Sequence, residues 1–101
     1  MAEKRKVVLT KLAVEHIDGL YNAYLDEGLT YEAEALIDDF LDVVFDEIPR
    51  SPELFPVCDG IKSGSHDYRI GRIQHDYCVI FQIFKDKVLI LLILHERDLP
   101  F

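Results

Sequence analysis

The chain has 101 residues, of which 50% are hydrophobic and 30% charged, with a formal net charge of -8. That is one domain with a single modest core, and the balance excludes a disordered chain. The acidic excess argues against avid, non-specific binding to nucleic acid, where neutralising phosphates supplies most of the affinity.

The basic start Lys4-Arg5-Lys6 is like that of a signal peptide, but Thr10 and Lys11 interrupt the apolar stretch and no small-residue cleavage site follows. A cytoplasmic protein is therefore expected, with Cys58 and Cys78 as free thiols. A short strand is expected at 6–9, KVVL. Thr10 then caps a helix whose apolar residues Ala13, Ile17, Leu20, Tyr21 and Tyr24 recur at three- and four-residue intervals. Gly28, free of the penalty on positive φ, ends it.

Thr30 reads as the cap of a second helix, with Glu32 and Glu34 in its first turns where carboxylates complement the helix dipole. Its buried stripe is expected to be Ala33, Leu36, Ile37, Phe40, Leu41, Val44 and Ile48, and Pro49 to stop it. Only Gly28-Leu29 separate the two helices, so they should fold back as an antiparallel hairpin. Asp38, Asp39, Asp42 and Asp46 fall away from the stripe, as a solvated face or as a surface for a basic partner.

Residues 49–64 turn to Pro, Ser, Gly and Asp and read as an irregular connection, tethered by Leu54, Phe55, Val57 and Ile61. Three strands follow at 68–73, 77–84 and 88–94, with turns around Gln74-His75-Asp76 and at Asp86. The last contains the longest apolar run of the chain, far short of the roughly 20 residues a membrane span needs. It has no alternation, so both its faces should be covered and it should lie inside the sheet. The expected fold class is α+β, in the order β-α-α-β-β-β, a helical hairpin packed on a small, mainly antiparallel sheet over a single domain, 1–101.

In an acidic chain the cations are the informative charges. Arg69 and Arg72, three apart on one strand, point to opposite faces unless a bulge at Gly71 brings them to one. Arg97 lies just past the last strand, and Lys62 is near enough in sequence to join them. Two readings stay open: a small basic cluster on the helix-free face, or surface arginines paired with Asp67, Asp76 or Asp98. His66, His75, His95 and Cys78 lack the close paired spacing of a zinc site, so no metal or other cofactor is expected. Nor does the sequence carry a nucleophile elbow, a phosphate loop or a dinucleotide fingerprint.

The segment 67–101, DYRIGRIQHDYCVIFQIFKDKVLILLILHERDLPF, resembles the C-terminal half of the RelE/ParE superfamily of bacterial type II toxins. The likeness rests on an aromatic-rich strand, the charged turn Lys85-Asp86-Lys87, an aliphatic strand and then His95-Glu96-Arg97-Asp98 with Pro100 nearby. It implies the same hairpin-on-sheet fold and a growth-inhibiting toxin of the plasmid-stabilisation kind, neutralised by a cognate antitoxin.

The superfamily divides into two branches. RelE-like members cut mRNA on the ribosome with basic groups on the sheet, positioning phosphate and stabilising charge. ParE-like members act on a protein, DNA gyrase. In the first branch Arg69 and Arg97 would be the catalytic groups. However, Gly71 and Cys78 stand where the resemblance leads one to expect further basic residues, and after Arg97 no terminal helix is expected to bring in a late tyrosine, the sequence ending at Phe101. The ParE-like branch is therefore favoured, with Arg72, His95, Glu96 and Asp98 as candidate contacts to target or antitoxin. A non-toxic binding module on the same scaffold is the third reading, and an exposed strand edge leaves a homodimer open.

Overall fold

Residues 4–58 and 67–99 are described by a computed structural model. Its elements are β1 (Lys6–Leu9), α1 (Lys11–Asp26), α2 (Thr30–Asp42), β2 (Asp67–Ile73), β3 (Tyr77–Ile83) and β4 (Lys87–His95). The strands lie in the order β1-β4-β3-β2, with β1 parallel to β4 and the other two pairings antiparallel. This is the expected α+β arrangement, and the unbroken apolar strand β4 sits inside the sheet. No helix among the described residues is long and apolar enough to cross a membrane. The expectations for Ile61, Lys62, His66, Pro100 and Phe101 fall outside the described residues.

Thr10 joins the two layers. Its amide donates to the Ile90 carbonyl at 3.1 Å and its hydroxyl donates to the Leu91 carbonyl at 2.8 Å. The same hydroxyl accepts from the Ala13 amide at 3.1 Å, so one side chain caps α1 and fixes its first turn to β4. At the far end Gly28 takes φ +78°, its amide reaching the Leu25 carbonyl and the Leu29 amide the Tyr24 carbonyl. That is a Schellman closure. It brings the chain round so tightly that Leu29 already occupies the N-cap position of α2. Thr30 is thus the first helical residue and makes no side-chain cap, contrary to the reading of it as the cap.

Beyond α2 the helical path widens into a π-turn, Val43–Glu47, and closes with a last turn, Ile48–Arg50. The Ile48 amide reaches five residues back to the Val43 carbonyl, immediately before Pro49, which has no amide hydrogen to give. The helical backbone therefore runs one residue past the proline expected to stop it. Val43, Val44 and Ile48 are all buried, whereas Leu41, one position and about 100° round from Phe40, is 45% exposed rather than part of the stripe.

One irregularity organises the sheet. Ile80 pairs with Leu92 but Phe81 pairs with Ile90, which leaves Leu91 as an extra residue in β4. The bulge resets the alternation, so Val88, Ile90 and Ile93 all face the helices. There they pack with Ala13, Ile17, Leu36, Phe40, Val44, Val79 and Phe81. Leu91, Leu92 and Leu94 fall on the other face, with Cys58, Ile70, Cys78 and Ile80. The Cys58 amide bonds to Tyr68, whereas Cys78 pairs with Arg72 four residues further along β2. That stagger is about 13 Å, too far for a disulfide, and neither cysteine forms one.

Candidate functional site

The arginines come apart because β2 is regular. Gly71 stays in register with Val79, so Arg69 (opposite Phe81) and Arg72 (opposite Cys78) project from opposite faces. The glycine serves a close approach instead of a bulge: a Cβ there would meet Phe55 Cε1 at 3.3 Å. Phe55 in turn packs edge-on against Phe81, with ring centroids 5.5 Å apart. The Arg69 guanidinium donates to the carbonyls of Glu53 and Phe55 at 2.7 and 2.8 Å. Together with amide bonds from Cys58 to Tyr68 and from Ile70 to Pro56, it fastens the long connection along the β2 edge. No basic cluster containing Arg69 forms on the helix-free face.

Arg72 is on that face, 2.8 Å from Glu96 and 3.7 Å from the Cys78 sulfur. Its acidic partner is therefore Glu96 of the tail. The pair is largely solvated and contributes about 1 kcal/mol at most. Burial pushes the Cys78 thiol above its ordinary value, and the Arg72 guanidinium offsets this only in part. Cys78 is thus held as a protonated thiol, the form that is not a nucleophile.

The end of β4 gathers more. His95 stands opposite Tyr77, the rings edge-to-face with centroids 5.1 Å apart. Its Nδ1 accepts from the Arg97 amide at 3.2 Å and caps a single 3-10 turn, Glu96–Asp98. The histidine therefore ends the strand and aims the turn. Below it β1 has already stopped, its last pairing being Leu9 with Ile90. Side chains replace the missing strand along this stretch of β4: the Thr10 hydroxyl on the Leu91 carbonyl, and His16 Nδ1 on the Ile93 amide at 3.2 Å. Both imidazoles act as acceptors here, which fixes each as the tautomer protonated on Nε2.

Between α1 and this edge lies a cleft of about 380 Å³. It brings His95, Arg97 and Asp98 together with Glu15, His16 and Tyr77. Glu96 instead turns to Arg72, and Arg69 belongs to neither group. Sequence reasoning did not single out Glu15 or His16. Both lie on the polar side of α1, where helical spacing gives no hint of what stands opposite. The cleft offers an exposed guanidinium, two carboxylates and aromatic edges, a set suited to binding a polar partner surface. Among the described residues no group of three or more His, Cys, Asp or Glu side chains is placed to hold a metal ion.

A family model described as the ParE toxin of the type II toxin-antitoxin system parDE matches residues 7–100. No curated protein sequence matches significantly. Among solved structures, a chain of the chromosomal ParDE system from P. aeruginosa superposes with a TM-score of 0.70 at 14% identity, covering 93% of this chain and 98% of that one. A chain of the RelBE2 toxin-antitoxin complex from Mycobacterium tuberculosis gives 0.61 at 15% identity, over 97% and 98%. A chain of the archaeal RelE-RelB complex from Pyrococcus horikoshii gives 0.50 at 21%, over 96% and 100%. At these identities the superpositions establish the shared fold.

Proposed function

The chain belongs to the ParE toxins of type II toxin-antitoxin systems, and from that premise we propose that it arrests growth in the cytoplasm by engaging a protein target such as DNA gyrase. A cognate antitoxin holds it inactive until the pair is lost, the arrangement by which such a system stabilises the replicon that carries it. Structural neighbours described as toxin-antitoxin complexes support the antitoxin partner.

The observation that favours a protein target over mRNA cleavage is the dispersal of the three arginines. Arg69 is committed to backbone carbonyls on one face, Arg72 to Glu96 on the other, and Arg97 lies apart from both in the terminal turn, in no ion pair among the described residues. Electrostatic catalysis of phosphoryl transfer needs several cations converging on one phosphate. These do not converge. The exposed terminal turn, with Arg97 and Asp98 beside His95, is instead a surface a folded partner can read.

The test is induced expression of the chain in a bacterium, with and without the product of the neighbouring gene. Expected are loss of colonies rescued by that product, a DNA-damage response that precedes any transcript cleavage, and inhibition of gyrase supercoiling by the purified chain. Ribosome-associated transcript cuts, abolished by both Arg69→Ala and Arg97→Ala, would assign the protein to the RelE-like activity instead. Unimpaired growth with soluble, folded protein would leave a non-toxic binding module.

A further inference from the structure

β4 runs on from Ile90, where its pairing with β1 stops, to His95. One hydrogen bond fixes which way the backbone groups of this last stretch point. The Ile93 amide donates to His16 Nδ1 rather than to β3, so Val79 and Ile93 form a wide, non-hydrogen-bonded pair of the antiparallel ladder. Two residues on, Tyr77 and His95 repeat that pattern. The Ile93 carbonyl and the His95 amide therefore both face outward along a free edge, and neither has a hydrogen-bond partner among the described residues.

This edge lines the cleft beside α1, and Gly19 of the helix lines it too. Gly19 lies in the middle of α1, where glycine lowers helix stability more than any residue but proline. Nothing in the free protein asks for it: its φ is not positive, and a Cβ there would meet no atom within 4 Å. What the bare helix surface provides is room beside an unpaired strand edge, and an unpaired edge is a template for another extended chain.

We propose that this slot takes an extended segment of the toxin's protein target, laid parallel to β4 in line with β1. The occupant rests on the reading that the chain engages a protein target. One residue of the segment, opposite Leu94, donates its amide to the Ile93 carbonyl and accepts from the His95 amide. That continues the parallel pattern in which the amides of Lys6 and Thr10, at the two ends of β1, donate to the Asp86 and Ile90 carbonyls. An apolar side chain of the segment fills the space over Gly19, beside Leu20 and Tyr77. A helical occupant has spent its backbone groups within itself and would leave both edge groups unpaired. A second copy joined edge to edge about a two-fold axis would run antiparallel, and a residue opposite Ile93 would then need the amide that His16 already holds.

The probe for the slot is a short synthetic peptide of alternating valine and threonine, blocked at both ends, set against the same peptide N-methylated throughout. Titrated into the intact chain, the first should move the Gly19 and His95 amide resonances with a millimolar Kd and slow hydrogen exchange at His95. The N-methylated peptide should do neither. Shifts centred elsewhere, or equal shifts with both peptides, overturn the proposal. The occupant is tested with Gly19→Leu, which fills the slot from the α1 side. Leucine favours a helix over glycine, so Tm should rise by about 4 °C, yet roughly tenfold more folded protein should be needed for the same loss of colonies. A more stable chain that is a weaker toxin is a result a purely structural glycine cannot give. Undiminished arrest per folded molecule overturns the inference alone, as does arrest that the neighbouring gene's product no longer neutralises, which would make the antitoxin the occupant. No arrest by the wild-type chain overturns the underlying reading, and this occupant with it.

Discussion

Asp46 stands between two cations, Lys4 at 2.8 Å and Arg50 at 2.6 Å. The hydrogen bond from Lys4 is the largest influence; desolvation opposes it, and the attraction of Arg50 and then of the Lys4 charge helps to hold the carboxyl below the usual carboxylate range. A carboxyl lowered on folding stabilises the protein above its unfolded-state value near 3.9, and the contribution is lost as pH falls through the lower folded value. Asp46→Asn should therefore lower Tm at pH 6 and leave it unchanged near pH 2, with the gap closing between. A gap that persists in acid would assign the effect to packing. The residue also shows the limit of pattern reading. Its place off the apolar stripe is visible in the sequence, but Lys4, which reaches it from 42 residues upstream, is not.

Elements were more legible than their junctions. The strand at 6–9, the periodic apolar residues of α1 and the non-alternating run of β4 all mark real features, because burial imposes each pattern directly. The bulge at Leu91 and the π-turn at Val43–Glu47 left no mark, since each is fixed by what the backbone meets across the fold. The turn at Gln74-His75-Asp76 was visible, yet not that His75 and Asp76 both take positive φ, nor that His75 reaches Glu32 and Tyr24 on the helices. The two threonines give a sharp contrast. Both precede helical patterns, but only Thr10 caps, and it also holds the bulge. Thr10→Val should cost about 2–3 kcal/mol in urea unfolding, from a lost cap and a lost, partly buried hydrogen bond to β4. Thr30→Val should stay within about 0.5 kcal/mol, apart from its small helix-propensity penalty. Comparable losses at the two positions would mean that Thr30 caps in solution.

For the whole molecule, strand register decides what the cations do. Three-residue spacing put Arg69 and Arg72 on opposite faces or, with a bulge at Gly71, on one. The sequence could not choose, because the choice turns on Phe55 filling the space above Gly71. The two remote arginines consequently have opposite natures. Arg69 anchors the connection through two carbonyls, and its loss leaves both without their charged donor, a cost of about 2–3 kcal/mol. Arg97 is exposed in the terminal turn, where substitution should cost about 0.5 kcal/mol or less. If the terminal turn is the surface the target reads, Arg97→Glu should abolish growth arrest with its unfolding midpoint unchanged. Arg69→Ala should lower the midpoint yet still arrest growth in proportion to the folded protein present. Both variants can be scored in one experiment, plotting colony survival against soluble folded protein at several inducer levels. Arg69→Ala falling on the wild-type curve and Arg97→Glu falling off it would separate scaffold from working surface. The reverse order would put Arg69 in the chemistry after all, because an arginine that only fastens a loop cannot change activity per folded molecule.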